Sequence, residues 1–201
     1  MSLNANVNII VLYHSRHGTT QQLARHIARG VESIPNCQAT LRTVAEISSE
    51  NETPRTASNS DPIISLDELK NCDGLALGCP VWFGNMTAAM KHFWDQTTPL
   101  WISGSLIDKP ACVFTSSSSP HGGQETTLQS MMLPLFHHGM MVMGIPYSEP
   151  NLHTSMKGGT PYGASSIAKE NERNLDKQVT ELAFAQGQRL AKAAVALSSI
   201  D

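Results

Sequence analysis

Strand and helix patterns alternate along the chain from its start. Val7 to Tyr13 is a near-continuous apolar run, the pattern of a parallel strand covered on both faces. A polar turn follows, Ser15-Arg16-His17-Gly18-Thr19-Thr20. Leu23, Ile27, Val31 and Ile34 then draw one apolar stripe on a helix that Pro35-Asn36 ends. Cys37 to Val44 alternates polar and apolar residues as an edge-type strand. Residues 45–62, rich in Ser, Asn, Glu and Thr, read as a surface insertion, because no second core-sized pattern opens after them. Ser65 caps a short helix through Leu69, with Glu68 at the capping-box position.

The third strand is Gly74 to Gly78, and it runs into Cys79-Pro80-Val81-Trp82-Phe83-Gly84. Met86, Met90 and Phe93 share one face of the next helix. Pro110 to Thr115 is a fourth strand, followed by a Ser-rich loop from Ser116 to Ser119 and by Pro120-His121-Gly122-Gly123. Glu125 to Phe136 reads as helix, Met140 to Ile145 as a fifth strand, and residues 146–172 as a long loop. A last helix carries Leu175, Val179, Leu182, Leu190 and Leu197. This alternation predicts an α/β fold in a single domain spanning 1–201: a doubly wound, five-stranded parallel sheet with helices on both faces. Right-handed crossovers put every post-strand loop on the same edge of that sheet.

Composition narrows the partners. With 40% apolar and 15% charged residues, the chain is not a disordered one. Its formal net charge of −3 excludes a strongly basic nucleic-acid binder. No apolar run approaches the ~20 residues that span a bilayer, so no membrane insertion is expected, and no basic stretch marks a signal peptide. Cys37, Cys72, Cys79 and Cys112 form no Cys-x-x-Cys pair and have no zinc-ligand spacing. They read as reduced thiols of a cytoplasmic protein with no bound metal. The sequons at Asn51 and Asn85 are then chance matches.

Candidate chemistry lies in the loops after the first, third and fourth strands, since ligands of such sheets sit beyond the carboxyl ends of the strands. Ser15 to Thr20 offers hydroxyls and a helix N-terminus to an anion, and Gly18 lets the backbone turn closely around it; an ordinary hydroxyl-capped turn fits equally. It is neither Walker A nor Gly-x-Gly-x-x-Gly. Trp82 and Phe83 suit a flat aromatic ligand, or pack into a core or interface. Ser116 to Gln124 supplies hydroxyls and free amides to a heterocycle's edge. Jointly they fit a mononucleotide with a flat ring system, and flavin mononucleotide (FMN) fits best. Arg16 either pairs with the phosphate or stays solvated.

From Val7 to about Leu197 the chain resembles the WrbA family of flavodoxin-like NAD(P)H:quinone oxidoreductases. The matching segments are Val11–Gly18, Phe83–Met86, Phe93–Thr97, Leu100–Gly104, Gly122–Glu125, His137–Met140 and Gly158–Ala164. The resemblance implies a flavodoxin-like fold with strand order 2-1-3-4-5, one FMN per chain, and a homotetramer (a dimer of dimers) whose neighbouring subunits wall each site. By position it makes Ser15, Arg16, His17, Gly18, Thr19 and Thr20 the phosphate run. Pro80, Val81, Trp82, Phe83 and Gly84 become the flavin-ring loop. Ser116, Ser117, Ser118, Ser119, Pro120 and His121 become a second flavin loop. His137 is then the histidine beside the flavin and the catalytic candidate, with a structural helix-end role as its alternative. His17 and Trp101 contact co-substrate and substrate. Trp82 stands where the family often has arginine, His17 where it has tyrosine, and Pro120-His121 where it has glycines.

The activity so implied is two-electron reduction of a quinone by NAD(P)H, the two substrates using one site in turn. Two rivals share the FMN: a flavodoxin-type electron carrier, and a regulatory or structural flavoprotein without turnover.

Overall fold

The computed structural model describes residues 6–47, 61–168 and 174–198. Most of the expected insertion at 45–62 and part of the 146–172 loop lie outside them. In chain order the elements are β1 (Val7–Tyr13), α1 (Thr19–Glu32), β2 (Cys37–Thr43), α2 (Leu66–Lys70), β3 (Gly74–Pro80), α3 (Ala88–Asp95), α4 (Thr98–Ile102), β4 (Pro110–Ser117), α5 (Gln124–His137), β5 (Met141–Val142), α6 (Asn151–Thr154), β6 (Gly163–Ile167) and α7 (Lys177–Leu197).

The sheet order is β2-β1-β3-β4-β5, with every pairing parallel. β1 shows why its residues read as one apolar run. Ile9, Val11 and Tyr13 pack on one side with Leu23, Ile27, Val31 of α1 and Leu182, Leu190 of α7. Ile10 and Leu12 pack on the other with Met90, Phe93, Leu128 and Met131 of α3 and α5. Strand periodicity thus feeds two cores, one per face. α1 and α7 approach closely through reciprocal glycines. A Cβ on Gly30 would lie 2.1 Å from the Phe184 carbonyl oxygen, and one on Gly187 would lie 2.1 Å from that of Ile27. The Ser65 capping box forms as expected, Ser65 Oγ accepting from Glu68 N and Glu68 accepting from Ser65 N.

The fifth position of the sheet departs from the sequence-based expectation. It is shared by two strands, so the sheet has six strands among the described residues. β5 keeps only Met141 and Val142, paired with Pro110 and Ala111. The chain then leaves the sheet, forms α6 and returns as β6, which pairs with Val113–Ser117. The long loop at 146–172 therefore contains a strand. Before Ile167 the strand carries only Gly, Ala and Ser, and at its start space is short: a Cβ on Gly163 would lie 2.0 Å from the Val113 carbonyl oxygen. Buried Gln186 of α7 ties the two strands, accepting from Ala164 N at 2.9 Å and donating to the Val113 carbonyl at 2.9 Å. On its other side β6 is met by its own excursion, Ile167 N donating to the Lys157 carbonyl at 2.8 Å. At the opposite edge, residues 62–64 lie against Thr43, with hydrogen bonds in both directions.

Candidate functional site

β1, β3 and β4 end side by side, so the turns that follow them form one crevice. β1 and β3 are neighbours in space with opposite windings on either side, which is where such sheets take a ligand.

In the first turn, Gly18 is the N-cap of α1 at φ 93°, a left-handed conformation costly to any residue with a Cβ. Nothing lies within 4 Å of where that Cβ would be, so the backbone there faces open space. Ser15 Oγ accepts from the amides of Gly18 and Gln21, both at 3.2 Å. The other first-turn amides of α1 have no acceptor inside the helix. Arg16 and His17 are exposed, and Ser15, Gly18 and Thr19 are half-buried. Thr20 is buried, its hydroxyl 2.8 Å from Ser116 Oγ. It thus lies on the floor of the crevice and joins the first turn to the end of β4.

The second turn is a tight reversal. Trp82 and Asn85 exchange two backbone hydrogen bonds of 3.1 Å. Between them Phe83 and Gly84 take φ of 53° and 74°, the left-handed pair of a type I′ turn. Phenylalanine is strained at that position, and its side chain is fully exposed. Pro80 closes β3, and Val81 N donates to the Ser116 carbonyl at 2.8 Å. The Arg16 guanidinium lies 5.5 Å from the centre of the Trp82 ring, linking the first turn to the second.

The third turn begins later than its sequence suggests. Ser116 and Ser117 are buried in β4 and are not in a loop, because their backbones pair with Ser166 and Ile167 of β6. The turn proper runs from Ser118 to Gly123, with Ser118, Ser119, Pro120 and His121 exposed and His121 at φ 54°. Gln124 organises it by donating to Ser117 Oγ at 2.7 Å and to the Ser119 carbonyl at 2.9 Å. Its Oε1 is buried and unpartnered. Gly123 packs on Gly84, where a Cβ would lie 3.0 Å from the Gly84 Cα.

The three turns thus meet, through Thr20–Ser116, Val81–Ser116 and Gly84–Gly123. His137 and Trp101 do not join them. His137 ends the 14-residue α5, whose first turn adjoins the crevice, so it lies ~20 Å down the helix axis. It lines an open groove of about 820 Å³ with Trp101, Trp94, Asn85, Met86 and His138. Asn85 and Met86 connect that groove to the second turn. His138 is structural: it is buried, 2.9 Å from Thr97 Oγ1 and tilted against Trp94.

Sequence reasoning missed a polar brace behind the first turn. Tyr13 Oη donates to Asp61 at 2.7 Å, Arg25 bonds the same carboxylate at 2.9 Å, and His14 meets Glu46 at 2.8 Å. Burial, then the hydrogen bond to Asp61, pushes the Tyr13 phenol up to about 12. No spacing rule reveals these partners, which are distant in sequence. Gln124 had a weak signal, an amide directly after a glycine pair at a helix start.

The family model for NADPH-dependent FMN reductase matches residues 6–151. The chain belongs to the NADPH-dependent FMN reductase family. A member from Chromohalobacter salexigens named NAD(P)H dehydrogenase (quinone) is 40% identical over 197 residues, which is 94% of this chain and 98% of that protein. Among solved structures, a WrbA-like flavodoxin from Agrobacterium tumefaciens superposes with a TM-score of 0.68 at 24% identity, covering 94% of this chain and 98% of that one. A flavodoxin from the domain Archaea gives 0.63 at 22% identity, covering 94% and 99%. The resemblance to WrbA-type proteins read from the motifs is borne out, and so is the flavodoxin-like fold of this reductase family member.

Proposed function

We propose that the protein is an FMN-dependent NAD(P)H:quinone oxidoreductase. The observation that carries this reading is the convergence of the three turns at the β1/β3 crevice, with open space over Gly18 at the N-terminus of α1. These residues fit FMN. Ser15, Gly18, Thr19 and the α1 amides would hold the phosphate, whose charge the helix N-terminus favours. Val81 to Gly84 and Ser118 to His121 would flank the ring system. Bound FMN supplies the electron relay between reduced nicotinamide and quinone.

The protein's own part is to bind, orient and exclude water. Both substrates would occupy one aromatic-walled space in turn, which gives ping-pong kinetics. His17 would line the co-substrate's approach, and Trp101 and His137 the quinone's. Their distance from the crevice within one chain supports a homotetramer in which neighbouring copies bring them to the flavin. Trp101, Ile102, Ile107, Leu133 and Phe136 are each more than half exposed on α4, α5 and the turn between α4 and β4, an apolar face that a second copy would cover. Among the described residues no helix is long and apolar enough to cross a membrane. The four free thiols support a cytoplasmic location.

The test is an absorbance assay with FMN, NADH and benzoquinone beside a protein-free control. NADH oxidation that needs protein, FMN and quinone together supports the reading. FMN binding without consumption of NADH or NADPH would transfer the protein to the carriers. No FMN binding would remove the three-turn site.

A further inference from the structure

Resting on that reading, we propose that Arg16, held by Trp82, is the contact for the phosphate-bearing arm of the dinucleotide co-substrate. Three observations carry it. Across the three turns, residues 15–20, 80–84 and 116–123, Arg16 is the only lysine or arginine. Its guanidinium lies over the Trp82 ring at 5.5 Å, within the reach of a cation–π interaction. The residues it links follow β1 and β3, so the stacked pair spans the rim of the crevice and both side chains are exposed.

The platform starts from a constrained backbone. The Trp82 backbone is held by two hydrogen bonds exchanged with Asn85, and its ring leans edge-on against Phe83, with ring centroids 6.3 Å apart. A flexible side chain in an exposed turn would otherwise lose its position to rotamer freedom. Stacking pre-orders a planar fork of donors suited to phosphate oxygens. FMN's own phosphate is provided for by amides and hydroxyls deeper in the crevice. A cation at the rim meets what arrives later, and a nicotinamide dinucleotide arrives carrying a pyrophosphate.

Calorimetric titration of NAD⁺ and, separately, NADP⁺ into FMN-loaded protein tests this, with FMN affinity measured in parallel by fluorescence quenching. Arg16→Gln is expected to weaken NAD⁺ binding about fivefold, the scale of an exposed charged contact, and by clearly more than it weakens FMN. Trp82→Leu, which leaves the charge but removes its platform, is expected to weaken NAD⁺ similarly. Arg16→Lys should fall between wild type and Arg16→Gln. The difference should shrink in ~1 M salt, where screening is short-ranged. An equal loss for both dinucleotides assigns the contact to the pyrophosphate, and a larger loss for NADP⁺ to its 2′-phosphate. Equal losses in FMN and dinucleotide affinity would make Arg16 a ligand of the FMN phosphate and overturn the proposal. So would no loss in either, or wild-type protein that binds FMN but no dinucleotide. Failure of wild type to bind FMN would instead defeat the proposed function.

Discussion

Thr20 shows how much one hydroxyl does here. It is buried, and its partner Ser116 is buried too. Thr20→Ala leaves the Ser116 hydroxyl without that partner, at a cost of about 1–3 kcal/mol. We expect lower stability to urea and weaker FMN binding by fluorescence titration, with Thr20→Ser restoring most of both. Unchanged affinity in Thr20→Ala would detach this residue from the site. His138 sets a pH dependence. Thr97 Oγ1 donates to the Trp94 carbonyl, so His138 Nε2 must donate to Thr97, and its buried Nδ1 is left bare. Burial, then the neighbouring His137, lowers the His138 pKa. The unfolded chain therefore takes up a proton below about pH 6.5 that the native state resists. Stability should fall as pH drops from 7 toward 5. His138→Gln should flatten the slope of Tm against pH; an identical slope would place the titration elsewhere.

At the scale of elements, α1 and α7 are spaced by backbone contact. Gly187→Ala would put a methyl group 2.1 Å from the Ile27 carbonyl oxygen, forcing the helices apart at about 1–3 kcal/mol. Urea melts should show this loss, while Val195→Ala on the exposed side of α7 should stay close to wild type. The stripe of Leu23, Ile27 and Val31 was legible because burial there demands large apolar residues at helical spacing. β6 was not, because crowding by Val113 and α7 selects Gly, Ala and Ser, which carry no strand pattern. The first turn was legible from Gly18 between hydroxyls at a strand-to-helix junction. The braces formed by Asp61 and Glu46 were not, since a long-range hydrogen bond leaves no periodicity. The Ser-rich stretch misled for a related reason. Ser116 and Ser117 look like loop residues, yet they are buried in a strand and paired with Ser166 and Ile167 of β6.

For the whole molecule, the apolar face built by α4 and α5 predicts self-association. Light scattering should give a multiple of the single-chain mass at micromolar concentration. Leu133→Glu, 61% exposed and on that face, should shift the population toward single chains without lowering the Tm of the monomeric fold. A wild-type protein that is already monomeric would remove the roles given to Trp101 and His137.

The partly covered margins of the sheet have a consequence for solubility. An open strand margin is a template on which another chain can add itself, and from there a fibril can grow. Here Lys157 takes the amide of Ile167 on one side, and residues 62–64 take Thr43 on the other. What remains accessible on that second side is the stretch Cys37–Arg42, where Gln38, Thr40 and Arg42 alternate with its partly buried apolar residues. Self-association through the exposed face of α4 and α5, as proposed above, would leave the strands out of the contact, and such an assembly would close at a fixed number of subunits.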